Sequence, residues 1–147
     1  EILRCLVGSE MCIRDRLSAL YLITPNETEA ELICGQKITD IDSATKAANL
    51  IKAKGVKNVI ITMGSKGAFV CTDTICELVP SYKVKAVDTT GAGDIFNGAL
   101  VLAISEGRDW IEATRFACKT SAIAVTRIGA QSSAPYRNEV DVFNPEK

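Results

Sequence analysis

Apolar residues follow two different periods along this chain, and the two periods alternate. Short runs rich in β-branched residues predict strands over residues 21–24, 58–62, 68–72, 75–79 and 84–87. Apolar positions at helical spacing predict helices over 27–34, 43–54 and 92–105, from 109 towards 125, and near 138–143. Asp42 is the expected N-cap of the second helix. Asp73 and Thr74 predict a hairpin turn between the third and fourth strands.

The alternation of strands and helices predicts an α/β fold, with three layers and a mostly parallel sheet. In such sheets, ligands bind beyond the carboxyl ends of the strands. Asn26, Gly64 and Gly91 each follow a predicted strand, so the segments around them are expected at one edge of the sheet. At 147 residues, the chain is long enough for one domain with its own core.

Composition narrows the possible functions. The formal net charge of −1 indicates neither a nucleic-acid partner nor an anionic membrane, and no apolar run is long enough to span a bilayer. The chain contains no histidine, which excludes histidine bases, triads and metal ligands. Its six cysteines show neither a C-x-x-C pair nor zinc-like spacing. We interpret them as reduced thiols of a cytoplasmic protein, with a disulfide framework as the alternative.

Residues 1–16 do not share the pattern of the rest. The stretch begins without methionine, has no clean helical or strand period, and lacks the features of a signal peptide. It resembles a translation of sequencing-adapter DNA. We therefore expect a foreign, weakly structured leader over residues 1–16, followed by one domain over residues 17–147.

The clearest chemistry lies in DTTGAGDIFNGAL, residues 88–100, where a glycine turn leads into a predicted helix. Gly91 and Gly93 allow a tight turn and the close approach of an anion, and the first N–H groups of a helix favour a phosphate. A carboxylate at such a site, here Asp94, is unfavourable unless it accepts a proton from an attacking hydroxyl. The segment indicates phosphoryl transfer to an alcohol. The alternative is an ordinary strand-to-helix turn with Asp94 as a first-turn acid.

This segment resembles a signature of the ribokinase-like (PfkB) carbohydrate kinases, and the resemblance extends over residues 17–143, including ITPNETEAELICG and RFACKTSAIAVTRIGAQ. It implies a three-layer α/β fold and ATP-dependent phosphorylation of a sugar's primary hydroxyl, with D-ribose as the expected sugar. By position, Asp94 corresponds to the catalytic base, which also contacts the sugar. The backbone of Gly91, Ala92 and Gly93 corresponds to the anion hole for the transferred phosphoryl group.

Two further segments match the family's nucleotide and magnesium sites. The residues implied along ATP are Asn26, Thr62, Met63, Gly64, Ser65, Lys66, Gly67, Gly93, Asp94 and Cys118. Cys118 departs from the polar side chain that is often present at its position, and a cysteine is a poor donor. Glu29 is implied to hold Mg²⁺ through water. From the residues alone, 62–67 also fits a hairpin turn, and Asn26 with Glu29 also fits a capped helix start.

The loop AIAVTRIGAQSSAP, residues 122–135, resembles the one that encloses K⁺ in these kinases. Potassium prefers carbonyl oxygens, so the path of the loop matters more than its side chains. The implied ligands, mostly through backbone carbonyls, are Asp88, Thr90, Ala124, Arg127, Gly129 and Ser133. The alternative is an ordinary loop that follows a helix.

Members of this family are considerably longer than the present chain. The part without a counterpart here is the N-terminal half, which carries the lid and most sugar contacts. We therefore expect this chain to be inactive by itself, and the full-length protein to be a cytoplasmic homodimer. Two alternatives stay open, namely a kinase for another sugar or a nucleoside, and a nucleotide-binding module without activity.

Overall fold

The computed structural model describes residues 16–144, so the predicted leader lies outside the described residues except for Arg16. The strands are β1 (Leu22–Ile23), β2 (Asn58–Thr62), β3 (Gly67–Cys71) and β4 (Cys76–Pro80). The helices are α1 (Glu27–Cys34), α2 (Ile41–Lys52), α3 (Ala92–Ser105), α4 (Trp110–Ala124) and α5 (Arg137–Val142). No helix in this part of the chain is long and apolar enough to cross a membrane.

These strands form one sheet in the order β1-β2-β3-β4. β1 and β2 are parallel, with Leu22 opposite Asn58 and Ile23 opposite Val59, and α1 and α2 lie in the connection between them. The connections 63–66 and 72–75 are too short for a crossover, so β2, β3 and β4 form an antiparallel meander. The predicted α/β class is confirmed, and the sheet within residues 16–144 is mixed.

The chain divides into two compact units, of which the first comprises residues up to Ile61 together with Phe69–Glu77. Its core is built on α2, which packs against α1. Four residues of α2 at helical spacing are fully buried, namely Ala44, Ala47, Ala48 and Ile51. β2 adds three fully buried residues, Val59, Ile60 and Ile61, as its β-branched sequence predicts.

The second unit comprises Thr62–Ala68 and Leu78–Lys147, and its core forms where α3 packs along α4. α3 buries Phe96, Leu100 and Ala103 on one side. Asp109 caps α4, since its carboxylate accepts the Glu112 N–H at 2.8 Å, which confirms the predicted start of this helix. The pair of helices fixes the first turn of α3, where the candidate site lies.

Two predictions about elements are wrong. Asp42 is not the N-cap of α2, because the helix begins earlier and Asp40 caps it. The Asp40 carboxylate accepts the Ser43 N–H at 2.8 Å, and the Ser43 hydroxyl accepts the Asp40 N–H at 3.0 Å. Residues 84–87 are not a strand in the described structure. The Val87 N–H donates to the Val125 carbonyl, and without a neighbouring strand the β-favouring residues have no ladder to join.

Candidate active site

The tight turn that the sequence predicts before α3 contains a left-handed residue. Gly91 is the N-cap of α3, with φ 75° and ψ 3°. A Cβ at this position would lie 3.0 Å from the Cβ of Ala130 and 3.2 Å from its Cα. Gly93 differs, because a Cβ there would meet nothing within 4 Å. The described fold therefore requires glycine at Gly91 but not at Gly93.

Asp94 lies in the first turn of α3 and is exposed. Among the described residues, no hydrogen bond or ion pair engages its carboxylate. The N–H groups of Gly93 and Asp94 also have no acceptor there, whereas the Ala92 N–H donates to the Thr89 carbonyl at 3.2 Å. Unpaired N–H groups at the positive end of a helix suit an anion. The first turn of α3 thus contains a carboxylate and two N–H groups that have no hydrogen-bond partner among the described residues.

Asp88 ties the glycine turn to the loop that follows α4. One carboxylate oxygen accepts the Thr90 N–H at 2.9 Å, and the other accepts the Gly129 N–H at 2.9 Å. These bonds, first of all the one from Gly129, lower the pKa of Asp88 to about 2. The carboxylate therefore stays ionised and holds the two segments together.

Two features at or near this turn were not predicted from the sequence. The Ser121 hydroxyl, on α4, donates to the Ala92 carbonyl at 3.2 Å and so braces the first turn of α3. Asn97, one turn after Asp94, has a buried side-chain oxygen with no partner among the described residues. The three-residue spacing from Asp94 is a signal that could have singled out Asn97, whereas Ser121 depends on how the two helices pack.

The loop after α4 offers carbonyl oxygens but few side chains. Within the described residues, nothing donates to the carbonyls of Thr90, Arg127 or Gly129. The Ala124 carbonyl accepts the Arg127 N–H at 3.0 Å, and the buried Ser133 hydroxyl donates to the Ala130 carbonyl at 2.8 Å. The Arg127 guanidinium pairs with Glu139, so only the backbone of Arg127 fits the predicted cation site.

Residues 62–67 span the turn between the end of β2 and the start of β3, which agrees with the hairpin alternative. The Met63 N–H donates to the Gly67 carbonyl at 2.8 Å, and the Met63 side chain is buried. Gly67 has φ 118°, and a Cβ there would lie 2.0 Å from the Val79 carbonyl oxygen. Gly64, Ser65 and Lys66 form an exposed 3-10 turn. These three are the exposed residues of the segment, and Thr62 is half-buried.

Asn26 and Glu29 lie in the first unit, where they form a capping box at the start of α1. The Asn26 side chain accepts the Glu29 N–H at 2.9 Å, and Glu29 Oε2 accepts the Asn26 N–H at 2.9 Å. The other carboxylate oxygen, Oε1, has no partner among the described residues. Within residues 16–144, no group of three or more acidic or thiol side chains could hold a metal ion directly.

Cys118 is a buried residue of α4, with 4% of its surface exposed. Burial raises the pKa of its thiol to about 12. A neutral, buried thiol is suited to packing and donates poorly. Its predicted contact with the nucleotide gains no support from this environment.

Comparison with known proteins identifies the chain's relatives. Residues 7–137 match the model of the pfkB family carbohydrate kinases. A ribokinase of Haemophilus influenzae is 47% identical over 127 residues, which cover 86% of this chain and 42% of that protein. A deoxyribokinase of Salmonella typhimurium is 39% identical over 120 residues, covering 82% of this chain and 38% of that protein. The chain thus spans about four-tenths of the length of these relatives.

Solved structures agree with this result. The ribokinase of Thermotoga maritima superimposes with a TM-score of 0.80 and 44% identity, over 87% of this chain and 43% of that one. The ribokinase of Arabidopsis thaliana, complexed with ribose and ATP, gives a TM-score of 0.79 with 32% identity, over 86% and 41%. The predicted ribokinase-like fold is therefore confirmed.

Two other structural neighbours were solved with metal ions. A putative ribokinase of Escherichia coli in complex with ATP and Mg²⁺ has a TM-score of 0.76 and 30% identity, over 89% of this chain and 41% of that one. Phosphofructokinase-2 of the same organism, in complex with potassium, has a TM-score of 0.79 and 25% identity, over 90% and 43%. By sequence and by fold, the chain belongs to the pfkB family of carbohydrate kinases.

Proposed function

We propose that this chain supplies the nucleotide-binding and catalytic part of an ATP-dependent kinase that converts D-ribose to D-ribose 5-phosphate. The observation that carries the proposal is the Asp94 carboxylate, exposed and without a described partner, beside the unpaired N–H groups of Gly93 and Asp94. The relatives named ribokinase support the same reaction and the choice of sugar.

In this reaction, Asp94 accepts the proton of the sugar's primary hydroxyl as that oxygen attacks the γ-phosphorus of ATP. The backbone of Gly91, Ala92 and Gly93 forms the anion hole, which stabilises negative charge on the transferred phosphoryl group. The donors in this turn are the N–H groups of Gly91, Gly93 and Asp94, since the Ala92 N–H already donates to the Thr89 carbonyl. The helix N-terminus adds a favourable field at that point. Asp88 and Ser121 act on the reaction indirectly, because they hold this turn in place.

The nucleotide would lie along Thr62, Met63, Gly64, Ser65, Lys66 and Gly67, with Asn26 and Cys118 as further contacts. The exposed turn at Gly64–Lys66 supports this proposal. Met63 would take part through its backbone, because its side chain is buried.

Two ions are also part of the proposal. Glu29 would hold Mg²⁺ through water, and its unengaged Oε1 is compatible with that role. K⁺ would be held by Asp88, Thr90, Ala124, Arg127, Gly129 and Ser133, and the unengaged carbonyls of Thr90, Arg127 and Gly129 fit its preference for oxygen. When bound, Mg²⁺ neutralises phosphate charge and K⁺ fixes the backbone around the anion hole.

The identity of the sugar rests on the relatives, since Asp94 is the one expected sugar contact in this chain. 2-Deoxy-D-ribose is the second candidate, because a deoxyribokinase matches at 39% identity. A panel of ribose, deoxyribose, fructose and nucleosides, offered to a protein that includes the sugar-binding half, would separate them. We further propose that this full-length protein is a cytoplasmic homodimer, which light scattering and cell fractionation would test.

The role of Asp94 is tested by Asp94→Asn in the protein with both halves. We expect kcat to fall by about 10²–10⁴-fold, the usual contribution of a general base, with the Kd for ATP little changed. Asp42→Asn is the matched control, because Asp42 is also a first-turn acid of a helix. If the two variants retain equal turnover, Asp94 is merely a first-turn acid and the proposed role is wrong.

A further inference from the structure

Two described cysteines face each other at the tip of the β3–β4 hairpin. β3 ends at Cys71 and β4 begins at Cys76, and the Thr72 N–H donates to the Ile75 carbonyl at 2.8 Å. Since Thr72 and Ile75 are a hydrogen-bonded pair, Cys71 and Cys76 are the adjacent non-hydrogen-bonded pair, with Cα atoms about 4.5 Å apart. This separation lies within the roughly 4.4–6.8 Å that a disulfide spans.

The turn holds the two cysteines in this register. The Thr72 hydroxyl accepts the N–H groups of Thr74 and Ile75, at 3.2 and 3.1 Å. Directly opposite residues of a hairpin project to the same face of the sheet, and the Cys71 thiol interacts with that of Cys76. The two sulfur atoms are therefore already close enough to interact.

We propose that Cys71 and Cys76 form a reversible disulfide across this hairpin, so that the tip of the hairpin is a thiol-oxidation site. Neither cysteine is one of the proposed kinase residues, and the proposal does not depend on kinase activity.

The two thiols differ in accessibility, which sets the order of reaction. Cys76 is exposed, whereas Cys71 is 1% exposed and its thiol donates to Asn49 Oδ1 at 3.9 Å. An oxidant in solution therefore reaches Cys76 first. Cys71 then attacks from within the protein as the resolving thiol.

A low-molecular-weight disulfide such as oxidised glutathione supplies the oxidising equivalents. The Cys76 thiolate attacks one sulfur atom, the glutathione S–S bond breaks, and one glutathione thiolate leaves. Cys71 loses its proton to water and attacks the Cys76 sulfur, which releases the second glutathione. Two protein thiols are oxidised while one glutathione disulfide is reduced to two thiols, and excess glutathione reverses both steps.

The surroundings of Cys71 make the resolving step dependent on pH. Burial, and then the neighbouring Cys76, raise the pKa of the Cys71 thiol to about 12. The Lys52 ammonium of α2 lowers it and the Asp73 carboxylate of the turn raises it, and these two form an ion pair at 2.8 Å. In the mixed disulfide the effect of the Cys76 thiol is gone, but burial, the largest cause, still keeps the pKa of Cys71 above its ordinary value. Because the thiolate is the nucleophile, the step should be slow at pH 7 and accelerate with pH.

Peptide mapping of the full chain tests the proposal. Trypsin cleaves after Lys66 and Lys83, so both cysteines lie on one peptide, GAFVCTDTICELVPSYK. After treatment with oxidised glutathione and alkylation, we expect this peptide to have lost two hydrogens and to carry no alkyl group. Cys34 lies on the separate peptide 17–37 and is the internal control. If residues 67–83 end with two alkyl groups, a retained glutathione or a bond to another chain, the proposal is wrong.

Two variants separate the roles of the thiols. Cys71→Ser should trap glutathione on Cys76, because the resolving thiol is absent. Cys76→Ser removes the exposed thiol and should leave Cys71 reduced. Cys34→Ser is the matched control, expected to preserve the disulfide. In the unaltered chain, the rate of the resolving step should rise about tenfold per pH unit between roughly pH 7 and 9. A rate independent of pH, or a Cys71→Ser variant that traps no more glutathione than the unaltered chain, would overturn the proposed order of attack.

Discussion

At the scale of single residues, the two glycines of the GAG turn have different physical reasons to be glycine. Gly91 adopts a left-handed conformation and lies against Ala130. Both the backbone conformation and the contact with Ala130 therefore disfavour a side chain at this position. Gly93 has helical geometry and open space around its Cα. The described fold therefore gives no reason for glycine at this position. The close approach of a phosphoryl group to the backbone would give one.

Alanine substitutions should separate these two reasons. Gly91→Ala should lower the free energy of unfolding by about 1–2 kcal/mol from the left-handed conformation alone, with the contact to Ala130 adding to it. Gly93→Ala should leave stability unchanged or raise it, because alanine favours helices, yet lower turnover in the protein with both halves. Urea unfolding of the chain and a kinase assay measure the two effects. Equal destabilisation by both substitutions would contradict this distinction.

Asp88 links protonation to stability. Its pKa is about 2 in the folded chain, below the ordinary 3.8, so the ionised form is favoured by folding. The resulting stability is present above about pH 4 and is lost as the pH falls towards 2. Asp88→Asn should therefore be less stable at pH 7 and should show a flatter loss of stability between pH 4 and 2. Urea midpoints across this range measure the effect, and an Asp88→Asn profile as steep as that of the unaltered chain would contradict it.

At the scale of elements, prediction succeeded where the signals for an element lie within it. α1 and α3 have the predicted bounds, since the Asn26 cap, Gly35 and the GAG turn are all local in sequence. The prediction of a strand at 84–87 is wrong, because a strand needs a neighbouring strand to pair with, and the local sequence pattern does not show whether one is present. The bonds from Gly129 to Asp88 and from Ser121 to Ala92 could not be predicted from pattern either, because they join distant residues through helix packing.

The start of α2 provides a direct comparison of two candidate caps. Asp40 and Asp42 are both acidic residues before an apolar helical pattern, but only Asp40 has Ser43 at the reciprocal capping-box position. Asp40→Ala should lower the melting temperature of the chain by several degrees, because it leaves the Ser43 N–H without its acceptor. Asp42→Ala should change it much less, since that residue contributes only through the helix dipole. Calorimetry on both variants measures the difference, and equal shifts would contradict the observed cap.

At the scale of the whole molecule, the chain spans about four-tenths of the length of its curated relatives, 42% in the Haemophilus ribokinase. It nevertheless contains the glycine turn, the candidate base and the loop of carbonyl oxygens. Phosphoryl transfer depends mainly on holding the acceptor in line with the phosphate and on excluding water. Asp94 is the one expected sugar contact present, and a single contact cannot position the hydroxyl.

We therefore predict that the 147-residue chain has no ribose-dependent ATP consumption above background, although it carries the residues of the proposed chemistry. Positioning accounts for roughly 7–11 kcal/mol of barrier in well-oriented reactions, and its loss would exceed what Asp94 contributes as a base. A coupled ADP assay with ribose, Mg²⁺ and K⁺ measures this, with the Haemophilus ribokinase as the positive control. Turnover within an order of magnitude of that control would show that this chain positions the sugar by itself, and would contradict the proposed division of labour between the two halves.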